Sequence, residues 1–107
     1  MKQKRHYIDF LIDIYHQTRM VKKFISNVKF EDFNSNTQLF YAICRTLEII
    51  GEATKNLPKE MISHYPDIEW SKMAKLREII IHHYTGLDEK VIWDICKIDI
   101  KDLQKTI

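Results

Sequence analysis

Apolar residues fall at Tyr7, Leu11, Ile14, Val21, Ile25 and Val28, steps that place side chains on one stripe of an α-helix. A first long amphipathic helix is therefore predicted from about Tyr7 to Val28. Phe30-Glu31-Asp32-Phe33-Asn34 breaks the pattern, and Ser35-Asn36-Thr37-Gln38 then has the form of a capping box, a hydroxyl followed three residues later by a glutamine. The second helix starts there. Leu39, Ile43, Leu47, Ile50 and Leu57 carry its stripe, flanked by Phe40 and Ala53. It ends at Asn56-Leu57-Pro58, because the residue before a proline is pushed out of the helical region. Gly51 sits inside this helix, where glycine costs about 1 kcal/mol relative to alanine. Its presence predicts close approach by a neighbouring helix.

A short helical piece is predicted from Lys59 to His64, followed by a break at Tyr65-Pro66-Asp67. Asp67 is placed to cap a third helix over about Ile68 to His83, with Met73, Leu76, Ile80 and His83 on one face. Trp70 and Ile81 widen its apolar arc beyond that face and supply surface for pairing with another chain. From Asp88 onwards, Val91, Ile92, Ile95, Ile98 and Leu103 recur at roughly helical spacing, as one bent helix or two short ones restarted at Asp99. No repeat, low-complexity stretch or linker divides the chain. The expected architecture is all-α, a single antiparallel bundle of four or five helices spanning residues 1–107.

Composition agrees with that reading. Only two Gly and two Pro leave few loops for a β-rich fold, and 45% apolar residues mark a globular rather than a disordered chain. Seventeen Lys and Arg against fifteen Asp and Glu give a formal charge of +2, too small to attract nucleic acid in bulk, so any such contact must be local. Arg19, Lys22 and Lys23 crowd the end of the first helix, where cations suit the macrodipole, and read as a solvated face rather than an RNA patch. Cys44 and Cys96 have no CxxC spacing, which indicates neither a metal site nor a disulfide framework, and both are expected reduced and buried. Asp9 and Asp13 interrupt the apolar run behind the basic Met1 to Arg5, so it reads poorly as a secretory signal. No run approaches the roughly 20 apolar residues needed to cross a bilayer, so a cytoplasmic location without membrane contact is expected.

The reactive side chains concentrate in Leu76-Arg77-Glu78-Ile79-Ile80-Ile81-His82-His83-Tyr84. Arg77 offers a permanent planar charge suited to phosphate, and His82 a group that exchanges protons near neutral pH. On a straight helix His82 lies about 140° round from Arg77, so periodicity alone does not join them. Either the helix distorts near His82, as Thr85-Gly86 suggests, or a two-fold dimer brings both types into one cleft. Adjacent His82 and His83 are no metal signature, because neighbours on a helix point about 100° apart. His83 continues the apolar stripe and is read as a core or interface residue. Arg45 and Glu52 on the second helix are supporting candidates, with plain surface roles the simpler alternative.

Arg77, four residues, His82, one residue, Tyr84 resembles the signature of the HEPN superfamily and, within it, the HepT-like branch of HepT/MntA toxin-antitoxin pairs. Leu47-Glu48-Ile49-Ile50-Gly51-Glu52-Ala53, Pro66-Asp67-Ile68-Glu69-Trp70, Gly86-Leu87-Asp88 and Val91-Ile92-Trp93 are similar to further segments of that branch, from about Phe30 to the end. The resemblance implies a dimer whose two motifs line a shared groove. It also implies RNA cleavage by Arg77 and His82 without metal or cofactor, as toxin of a type VII-like pair. The partner would be an MntA-like nucleotidyltransferase antitoxin that silences it by adenylylating Tyr84. Glu78 departs from the pattern, standing where the family most often carries Asn, and could neutralise part of the charge on Arg77. The competing class is a non-catalytic helical subunit that binds a nucleotidyltransferase or a nucleotide without cutting RNA.

Overall fold

The computed structural model describes residues 6–82 and 88–107. Every regular element among them is helical: α1 (Tyr7–Ile25), α2 (Phe30–Ser35), α3 (Thr37–Thr54), α4 (Lys59–Ser63), α5 (Trp70–Ala74), α6 (Leu76–His82), α7 (Glu89–Asp94), a π-helical segment (Ile95–Asp99) and α8 (Ile100–Thr106). No described helix is long and apolar enough to cross a membrane.

Helix α3 is the centre, touching α1, α2, α5 and α6, while α1 also packs on the π-helical segment and α8. The predicted stripe explains this position: Ile43, Leu47 and Ile50 are fully buried, with Phe40, Ala53 and Leu57 nearly so. Ile14 and Val21 supply the buried face of α1, and Met73, Leu76 and Ile80 that of α5 and α6. Thr18, Thr46 and Thr54 join this core without leaving a hydroxyl unpaired, because each donates to a backbone carbonyl one turn earlier.

Several boundaries differ from the expectation. Helix α1 stops at Ile25 rather than Val28, since Asn27 takes a left-handed backbone with φ 59°, a conformation asparagine tolerates just beyond a helix end. The segment expected to break the pattern is helix α2, held by Phe33 against Phe40 at 5.5 Å and Trp93 at 5.2 Å between ring centroids. Asn36, not Ser35, caps α3 by accepting from the Leu39 amide, while Ser35 donates back to the Asp32 carbonyl. The third helix begins at Trp70 without a side-chain cap, so Asp67 does not start it. It is also interrupted at Lys75, where ψ reaches 6°.

At the end of the chain, Asp88 caps α7, accepting from the Lys90 amide. Asp99 does not act as a cap and instead pairs with Lys72 at 2.7 Å. The Ile100 amide donates to the Ile95 carbonyl five residues back, and this wider turn rotates everything after it. Ile98, expected in the core, is therefore 59% exposed, while Ile95, Cys96, Ile100 and Leu103 are buried. Cys44 and Cys96 are both free and buried, and desolvation pushes each thiol up to about 12.

Candidate functional site

Gly51 brings the motif helix onto α3. A Cβ there would meet the Arg77 backbone nitrogen, the Leu76 Cβ and the Met73 carbonyl oxygen, each at 3.3 Å, so a side chain would press the α5–α6 junction away by a few tenths of an ångström. Leu76 then points into the core and Arg77, its neighbour, emerges at the surface beside the next residue of α3, Glu52.

Arg77 Nη1 lies 3.6 Å from Glu52 Oε1, and both side chains remain about half exposed. Glu78 does not face its neighbour Arg77: its Oε1 accepts a hydrogen bond from Lys55 Nζ at 2.7 Å, and that ammonium also lies 3.5 Å from Glu52. The Lys55 hydrogen bond is the main cause that holds the Glu78 carboxyl below its ordinary value of 4.5, with its own backbone amide next and the Arg77 charge a lesser one. Lys55 is raised above 10.5, chiefly by the same hydrogen bond. Exposed pairs of this kind add little to stability, and these two cations and two carboxylates leave the local charge balanced.

Lys55 is the member that sequence reasoning passed over. Its spacing of three from Glu52 was the available signal. Arg45 is not brought to Arg77. It pairs with Glu48 at 3.5 Å and, with Glu52, lines a shallow cavity of about 240 Å³ between α1 and α3. His82 ends α6 exposed, its imidazole making no hydrogen bond or ion pair with a described residue. Ile81 beside it is 56% exposed, as expected, but Trp70 is only 8% exposed and donates its indole N–H to the Tyr65 carbonyl, so it belongs to the core rather than to a pairing surface. His83 and Tyr84 lie outside the described residues.

Fold and site together define an all-α domain that presents an arginine and a histidine on the exposed side of one short helix. The family described as HepT-like, "Ribonuclease HepT-like", matches residues 14–107. Among curated proteins, the chain is 40% identical over 102 residues to a Methanocaldococcus jannaschii protein named "Putative RNase", covering 92% of this chain and 84% of that one. It is also 40% identical over 101 residues to "Probable ribonuclease HepT" of Thermococcus cleftensis, covering 94% and 92%. A Caldanaerobacter subterraneus protein named "Putative RNase" is 34% identical over 107 residues, covering 100% and 93%. No solved structure matches at a comparable level. The chain belongs to the HepT-like ribonuclease family.

Proposed function

We propose that this chain is a metal-independent RNA endonuclease, the toxin of a type VII-like toxin-antitoxin pair. The observation that carries the reading is the family match across residues 14–107, which contains the exposed Arg77 and His82 of α6. In this mechanism a base removes the proton from a ribose 2′-OH, the freed oxygen attacks the adjacent phosphorus, and the 5′ oxygen leaves with a proton from an acid. His82 takes the acid-base role. Arg77 stabilises the charge that builds on the phosphoryl oxygens. The products are a 2′,3′-cyclic phosphate and a 5′-hydroxyl.

A two-fold dimer would place two copies of each group along one cleft, which resolves the angular separation of Arg77 and His82 on a single helix. Exposed Ile81 next to His82 supports pairing at this face. An MntA-like nucleotidyltransferase antitoxin would silence the site by transferring AMP to Tyr84, adding bulk and negative charge to the motif that carries Arg77.

The test is incubation of the purified chain with RNA in EDTA and analysis of the new ends. Cleavage leaving cyclic phosphates is expected. Dependence on a divalent ion, or 5′-phosphate ends, would contradict the mechanism.

A further inference from the structure

The charges around Arg77 cancel, since Arg77 and Lys55 stand against Glu52 and Glu78. The whole chain carries only +2. A strand of RNA needs a longer positive track than this cluster provides, because its affinity comes largely from neutralised phosphates.

Elsewhere the fold gathers such a track. A cavity of about 410 Å³ between the C-terminal end of α1 and the π-helical segment with α8 is lined by Lys22, Lys97, Lys101 and Lys105 and by no carboxylate. Lys22, Lys101 and Lys105 make no ion pair with a described residue, and the Lys97 ammonium stands 5.4 Å from the Trp93 ring centroid. Along α1 alone, Lys22 looks like part of a solvated face. Helix α8 puts two further ammonium groups, and the π-helical segment a third, around the same space.

We propose that this cavity binds the phosphodiester backbone of single-stranded RNA, holding substrate at a distance from the charge-balanced Arg77 cluster; the assignment rests on the ribonuclease reading above. Lys97 on the π-helical segment and Lys101 and Lys105, about one turn apart on α8, all line the cavity and give a row of three ammonium groups. That row, with Lys22 on the opposite wall, follows a chain of phosphates better than it fits one. The cavity's lining includes no aromatic ring on which a base could stack, so recognition is of the backbone and tolerant of sequence.

The test uses the His82→Ala chain, in which cleavage is expected to be lost, and fluorescence anisotropy in EDTA with a short labelled single-stranded RNA across a salt series. Lys101→Gln with Lys105→Gln is compared with Lys59→Gln and Lys90→Gln, which removes as many charges from outside the cavity. The cavity variant should weaken binding severalfold and reduce the slope of log K against log salt by about 1.4, at ~0.7 per lost phosphate contact, while the control keeps its slope. Equal slopes in the two variants, with the unsubstituted chain still cutting RNA, overturn the cavity assignment and leave the ribonuclease reading standing. Loss of both binding and cleavage by the unsubstituted chain overturns both. If ATP displaces the RNA and itself fails to bind the cavity variant, the occupant is a free nucleotide and the RNA assignment fails.

Discussion

The Arg77 backbone nitrogen lies where a side chain on Gly51 would reach it at 3.3 Å. Gly51→Ala gains helix propensity of about 1 kcal/mol. Against it stand two backbone atoms and a Cβ, none of which can swing aside as a long side chain would, and overpacking of this kind costs ~1 to 3 kcal/mol. The net expectation is a loss of about 1 kcal/mol in urea denaturation, with RNA cleavage reduced more than stability because Arg77 is displaced. A stabilised variant of full activity would contradict the packing account.

Glu78→Asn should leave the melting temperature nearly unchanged, since the pair with Lys55 is exposed. Because the Glu78 carboxyl is lowered below 4.5, its pairing contribution is present above that value and is lost as pH falls through the lowered one. Because Lys55 is raised above 10.5, its contribution is present below that value and is lost as pH rises through the raised one. The pair is thus intact throughout the neutral range. Removing one negative charge there and releasing Lys55 should raise cleavage at low salt. A fall in cleavage would show that Glu78 itself takes part in the chemistry.

Both thiols sit near 12, so almost no thiolate exists at pH 8. Cys44 and Cys96 should resist a disulfide reagent in the folded chain and react together in urea. Rapid labelling of either in the native state would contradict their burial.

The helical class and most of the core were legible because long helices write their buried face at a fixed angular step, as Ile43, Leu47 and Ile50 do. Helix α2 was not, since only Phe30 and Phe33 mark it and its support from Phe40 and Trp93 is distant in sequence. Ile98 was misplaced because a π-helical turn changes the angular step where no glycine or proline announces it. At the site, Arg77 and His82 were legible by resemblance and Gly51 by its cost in a helix. The pairings of Glu52 with Arg77 and of Lys55 with Glu78 join α3 and its C-terminal cap to α6, and no local spacing encodes them.

Sedimentation at micromolar concentration should find a dimer. Ile81→Asp should shift it towards monomer without a large change in melting temperature, because this side chain is 56% exposed in the single chain. A monomeric unsubstituted chain would contradict the shared cleft.

In single-turnover cleavage assays Arg77→Ala should lower the rate on the order of 100-fold, equivalent to about 3 kcal/mol of lost transition-state stabilisation, and an unchanged rate would contradict its role.

The central claim is tested most directly by the cleavage rate of His82→Ala on single-stranded RNA in EDTA, beside its melting temperature. His82 is exposed at the end of α6, so its loss should abolish cleavage while the fold and its melting temperature stay as they were. Cleavage at an undiminished rate by His82→Ala would contradict the assignment.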